Sequence, residues 1–290
     1  MIPAPFAYHS PASLEEALDL LASEKDAKLL AGGQSLAPLM KLRLVRPKCL
    51  IDLSRIPGMN SIRKEQDRIV IGAMTTHADV ENSALLKQEC PLLPQTATAI
   101  GDVQVRNRGT IGGSLAHADA ASDMPAAVMA LGAEIKAVSP RGERWIKAED
   151  FFLGFLTTAL EPDEILAEVK VPVLDGTKTA YLKAGQRASG FAVVGVAVCL
   201  KLDGDRVCND IAIGITGVTD KAYRPVVVEQ KLKGNRLEPE LVKEALAGVT
   251  DGVDVIEDIN GSKEYRSHLA RVYTARAIQE ARRSRLSAFP

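Results

Sequence analysis

The chain has only four cysteines in 290 residues, Cys49, Cys90, Cys199 and Cys208, and none forms a C-x-x-C or C-x-x-x-C pair. That scatter argues against a zinc site, an iron–sulfur cluster or a disulfide framework, and the thiols are expected to be reduced. Excess charge of one sign is also missing, since 36 basic and 37 acidic residues leave a formal net charge of −1. Nothing neutralises a run of phosphates, so nucleic acid is not an expected partner. Long apolar runs are absent: windows such as FAVVGVAVCL at 191–200 fall short of the roughly 20 residues of a membrane helix. The opening MIPAPFAYHS has neither a basic stretch nor the apolar stretch of a secretory signal. The expectation is a cytoplasmic protein without a membrane span.

What is present reads as an ordinary globular chain, 46% hydrophobic and 25% charged, and long enough for two or three domains. Ser13 and Glu16 fit a capping box, and Leu14, Ala17, Leu18 and Leu21 recur at helical spacing, which predicts a helix over 13–21. Strands at 27–30 and 49–53, with a short helical or turn-like LAPLMKLRL between them, make a β-α-β-like unit ending near Pro57. A strand at 68–74 and helical patterns at 77–88 and 92–100 follow. The stretch 103–125 is too long and glycine-rich to be one regular element, and such stretches are usually functional loops. Beyond it lie a helix with Pro125 in its first turn and Gly132 at its end, and a hairpin turning at 140–142. The tail reads as two long strands joined at 203–205 and a last helix over 262–286. The expected domains are 1–57, 58–176 and 177–290.

Two Gly-Gly segments carry the chemistry: AGGQS, from Ala31 through Gly32, Gly33 and Gln34 to Ser35, and TIGGS, from Thr110 through Ile111, Gly112 and Gly113 to Ser114. Successive backbone N–H groups in such loops form concave nests that bind anions without a positive side chain, and two facing nests would hold a diphosphate. Each pair alone is weak evidence, since a Gly-Gly in a loop is more often only a turn. The hydroxyls of Ser35, Thr110 and Ser114 beside the glycines favour phosphate. Neither segment is a G-x-G-x-x-G or a G-x-x-x-x-G-K-[ST] motif, which disfavours a Rossmann site and a P-loop.

AGGQSLAPLMKLRL, RNRGTIGGSLAHADAASDMP, FFLGFLTTALEPDEILAEVKVP and YLKAGQRASGFAVVGVAV, in that order, resemble the medium, FAD-binding subunit of the molybdenum hydroxylases, the group of carbon monoxide dehydrogenase, xanthine dehydrogenase and the N-heteroaromatic oxidoreductases. The resemblance implies an α+β chain with a p-cresol methylhydroxylase-type FAD-binding fold, two α+β subdomains clamping a non-covalent FAD and a C-terminal α+β domain closing over it. It implies that both glycine segments contact FAD, that Asp123 meets the adenosine ribose, that Leu166 makes a backbone contact near the flavin, and that Lys183 reaches the flavin ring. From the residues alone, an aspartate at 123 suits a ribose ligand, with a helix N-cap as its alternative, and Lys183 reads equally as a solvated strand lysine. His77 and His117 are candidates for a phosphate or flavin contact or for structural roles. Arg106 and Arg108 are candidates for diphosphate compensation, for a partner contact or for plain solvation.

The same resemblance implies a relay: electrons arrive from a small two-[2Fe–2S] chain, pass through FAD and leave to an external acceptor, while a large molybdopterin-bearing chain performs the hydroxylation. The expected assembly is a dimer of heterotrimers. A stand-alone flavin oxidase or dehydrogenase of a small organic substrate is the rival, and it needs a positioned base. A non-enzymatic scaffold whose glycine segments are only turns is the third reading.

Overall fold

A computed structural model of the chain describes residues 2–186 and 190–283. Its first sheet is parallel, with strand Cys49–Asp52 between Ala7–His9 and Ala27–Leu30. The crossover helix Leu14–Ser23 is capped by Ser13, whose hydroxyl accepts from the Glu16 N–H at 3.1 Å. Glu16 returns its carboxylate to the Ala12 N–H at 2.8 Å rather than to Ser13, a variant of the expected box. The outer strand Ala7–His9 lacks alternation and was not expected.

The second sheet has five antiparallel strands, in the order Ile62–Glu65, Arg68–Gly72, Ile165–Pro172, Glu134–Ser139 and Gly142–Lys147. The last two are the expected hairpin, with Gly142 at φ +126°. The helical pattern at 77–88 is two helices, His77–Asn82 and Ala84–Glu89. Ser83 divides them, because its extended backbone ends the first while its hydroxyl caps the second through Leu86 N–H. The supposed loop at 103–125 is mostly helical: Val103–Arg106 and Ile111–His117 lie within it, and Asp123–Ala130 starts inside it. Its glycine pair thus belongs to the first turn of a helix, where Thr110 acts as N-cap.

Strands Lys178–Gly185, Ala192–Leu202 and Cys208–Thr216 form an antiparallel meander covered on one face by the long helix Lys263–Arg283. That helix was expected to run to Leu286, and its last three positions lie outside the described residues. The helix Asp123–Ala130 is buried along its whole length and packs on this meander, so closely that a Cβ at Gly214 would collide with the Ala126 carbonyl. This contact ties the C-terminal sheet to the glycine segments.

Candidate cofactor site

AGGQS leaves the carboxyl end of strand Ala27–Leu30, the end of a parallel sheet at which ligands are bound. Gly33 has φ +74°, a left-handed conformation that glycine adopts without strain. Among the described residues, the N–H groups of Gly32, Gly33, Gln34, Ser35 and Leu36 donate to no protein acceptor, and the Ser35 hydroxyl is unengaged. Five consecutive unpaired amides around a left-handed glycine make an anion nest. Asp52, at the same edge of the sheet, accepts from Tyr8 Oη at 2.5 Å. Burial pushes its carboxyl up, but Tyr8, Ser54 and the Arg108 guanidinium outweigh that and hold it below the ordinary value.

TIGGS is a different object. Ile111 N–H donates to the Thr75 carbonyl (3.0 Å), Gly112 to Ala73 (2.9 Å), Gly113 to the Thr110 hydroxyl (3.0 Å) and Ser114 to the Thr110 carbonyl (3.0 Å). The expectation of two equivalent amide-lined hollows is therefore corrected. A helix first turn with an N-cap, held on the second sheet, has satisfied its own donors. Its glycines serve close approach instead. Gly112 lies against Ala73, and a Cβ on Gly113 would come within 3.2 Å of the Ala31 Cβ. Gly32 in turn lies against the Arg108 carbonyl. The two segments touch, one supplying the nest and the other its packed wall.

Asp123 is not the cap of its helix; that position is Ser122. Its carboxylate is 5% exposed and accepts from Tyr181 Oη and, at 3.0 Å, from Lys183 Nζ. Lys183 completes its three donors on the carbonyls of Ala99 (2.5 Å) and Gly190 (2.7 Å). Burial pushes the Asp123 carboxyl up while Lys183 and Tyr181 pull against it. The structure brings Asp123 and Lys183, together with Tyr181, into one buried cluster. Leu166 is buried in strand Ile165–Pro172. It pairs with Ala137 at a bulge where the pairing with strand Arg68–Gly72 ends and Ala73 N–H turns to the Ala167 carbonyl.

The sequence profile described as the FAD binding domain in molybdopterin dehydrogenase matches residues 4–174, and that of the CO dehydrogenase flavoprotein C-terminal domain matches 179–281. The chain belongs to this family. It is 39% identical to the glyceraldehyde dehydrogenase medium chain of Sulfolobus acidocaldarius over 97% of this chain and 99% of that one. To the carbon monoxide dehydrogenase medium chain of Hydrogenophaga pseudoflava it is 40% identical, over 97% and 98%. Among solved structures, the carbon monoxide dehydrogenase of Hydrogenophaga pseudoflava superposes with a TM-score of 0.93 at 41% identity, covering 97% of this chain and 98% of that chain. Quinoline 2-oxidoreductase from Pseudomonas putida does so with 0.92 at 35%, over the same shares. The α+β architecture and the FAD-binding role as a medium subunit of a molybdenum-hydroxylase-type oxidoreductase thus stand together.

The residues of this flavoprotein subunit fit FAD on their own chemistry, since the nest provides diphosphate donors and no acceptor among the described residues already takes them. The His77 ring is buried against the Gly109 turn, the His77 backbone N–H donates to the Gly109 carbonyl (2.8 Å), and its ring Nδ1 has no partner among the described residues. Burial, with Arg106 nearby, lowers its pKa to about 4. Arg106 is engaged by Glu81 (2.7 Å) and the Ile100 carbonyl (3.0 Å), whereas the Arg108 side chain is exposed and makes no ion pair among the described residues. His117 is half-buried at the end of the TIGGS helix. Sequence reasoning missed Tyr181. Its spacing of two from Lys183 on a strand places both on one face, and that signal was available. The thiols of all four cysteines are buried, and among the described residues no group of three or more His, Cys, Asp or Glu side chains is placed to hold a metal. No described helix is long and apolar enough to cross a membrane.

Proposed function

We propose that this chain is the electron-relay subunit of its complex, taking electrons from the [2Fe–2S] clusters of a small partner chain and delivering them to an external acceptor. The large molybdopterin-bearing chain would act on the substrate, in a dimer of heterotrimers. Bound FAD supplies redox chemistry that accepts electrons singly and yields them in pairs. The protein's share is positional. The nest at Gly32–Leu36 would grip the diphosphate, with the Ser35 hydroxyl as a further donor. The wall of Ile111–Ser114 would hold that nest in shape, and the Asp123–Lys183–Tyr181 cluster would fix the far end of the cleft. Leu166 would offer its backbone near the flavin.

The observation that carries this reading is the run of five unpaired amides pressed against a second segment with none to spare. A stand-alone oxidase needs a free base at the reacting face, but Asp123 and Lys183 are committed to each other, to Tyr181 and to backbone carbonyls. Purification from the native source tests the reading. Two further chains carrying molybdenum and iron, with acid-releasable FAD on this one, are the expected result. A lone chain that turns over an organic substrate would refute it.

A further inference from the structure

The first sheet turns one face to its crossover helix and the other to the nest. Ala17 and Leu18 of that helix share a core with Cys49 and Ile51, and the alternate residues of each strand point the opposite way. Register groups those alternates. Tyr8 and Lys28 both pair with Leu50, and Leu30 pairs with Asp52, which places Tyr8, Lys28, Leu30 and Asp52 on one face. The nest stands on that face too, because a Cβ on Gly33 would lie 3.3 Å from Leu30 Cδ1. Leu30 and Asp52 are cross-strand neighbours, on strands spaced about 4.8 Å apart. Asp52 is thus one strand away from the nest, on the same side.

Asp52 still has room to accept. Its Oδ1 takes the Ser54 N–H at 2.8 Å and its Oδ2 the Tyr8 hydroxyl at 2.5 Å. An ionised carboxylate offers about four lone-pair directions, so about two remain, and among the described residues no other donor engages them. Burial raises this carboxyl, but Tyr8, Ser54 and Arg108 outweigh it, so the group is ionised at neutral pH. Arg108 belongs to the same corner, since its carbonyl abuts Gly32. A carboxylate beside an anion nest repels a bare phosphate. It suits a ligand that presents hydroxyl donors next to its phosphates.

Dinucleotide sites on parallel sheets use this arrangement: a phosphate-binding turn follows one strand, and an acidic residue about 20 positions on accepts from the ribose. Asp52 follows Gly32 by 20 positions and ends the neighbouring parallel strand. The glycine motif is not the Rossmann one, yet the placement is the same, because the carboxyl edge of two parallel strands sets a turn and a side chain one strand spacing apart. We propose that Asp52 binds the adenosine ribose hydroxyls of FAD, with Tyr8 as the positioning residue that holds its carboxylate. It is a carboxylate distinct from Asp123, which is buried with Lys183 and Tyr181. The assignment rests on the nest gripping the diphosphate, as proposed above. It adds the direction of the cofactor, with adenosine over the first sheet and flavin toward the Asp123–Lys183–Tyr181 cluster.

The full-length chain is freed of flavin and titrated with FAD and with its 2′,3′-dideoxyadenosine analogue, following flavin fluorescence. A hydroxyl bonded to a charged acceptor contributes about ten-fold or more in affinity, so the wild type should prefer FAD by that factor. Asp52→Asn should lose most of the preference. Tyr8→Phe breaks the same hydrogen bond but keeps the carboxylate, and it should bind both ligands more weakly while retaining most of the preference. A wild type that binds the two ligands equally overturns the proposal without recourse to any variant. So does an Asp52→Asn variant whose preference matches the wild type. A Tyr8→Phe variant that loses the preference as fully as Asp52→Asn assigns the effect to the sheet edge, and overturns it as well. Gly33→Val separates this proposal from the one beneath it. Unchanged FAD affinity in Gly33→Val overturns the nest itself, whereas weakened affinity there beside an unselective wild type leaves the nest standing and removes only Asp52 from the ribose.

Discussion

Asp123 and Lys183 lie 60 positions apart in the chain and meet at 3.0 Å, joining the first turn of the most buried helix to the first strand of the C-terminal meander. The pair is a fastening between the FAD-binding half and the C-terminal sheet. Removing one partner of a buried pair leaves an uncompensated charge and is destabilising by about 3–5 kcal/mol. Asp123→Ala is expected to lose about that much in urea unfolding, reduced here by the two carbonyls that still hold Lys183. Asp123→Ala with Lys183→Met should recover part of the loss. A strictly additive double variant would show that the ion pair is not the fastening.

Gly33 and Gly112 are both glycines of the site, and they should fail differently. Valine at Gly33 strains a left-handed backbone by roughly 1–2 kcal/mol, which a folded domain survives, but it narrows the nest. Valine at Gly112 must displace Ala73, which directly follows strand Arg68–Gly72. Gly33→Val is expected to give soluble, cooperatively melting, colourless protein, and Gly112→Val insoluble or strongly destabilised protein. Full flavin absorbance at 450 nm in Gly33→Val would contradict the nest.

Acidification should act through His77. Its pKa is lowered from 6.5 to about 4 by burial and by Arg106, so between those values the unfolded chain binds the proton and the folded chain does not. The stability that depends on neutral His77 is complete above pH 6.5 and is lost as pH falls towards 4, in all roughly 3 kcal/mol. His77→Gln should flatten this part of the pH profile measured by denaturant unfolding. An unaltered profile would place the acid sensitivity in other groups.

The four cysteines should be silent in the native state. Burial raises all four thiols, Cys199 to about 12 and Cys208 to about 11, and the thiolate is the reactive form. Reaction with Ellman's reagent is expected to reach four thiols only on unfolding. Rapid labelling of native protein would contradict the packing around them.

Much of the framework was legible from local pattern. Apolar runs at 27–30 and 49–53, the hairpin turning at 140–142 and the caps at Ser13 and Gly132 are dictated by side chains within a few positions of the feature they set. The stretch 103–125 was misread because glycine spacing marks a loop when taken alone. Its helical turns depend on Thr110 capping Gly113 and on carbonyls of Ala73 and Thr75, which approach from another part of the chain.

The amino-acid order on its own determined the family, the existence of two glycine segments and their order, because those are properties of neighbouring residues. Folding alone decided that one segment is a nest and the other a wall, and that Asp123 belongs with Lys183. Whether an amide or a carboxylate is left open depends on which acceptor or donor arrives from a distant strand, and no local pattern records that arrival.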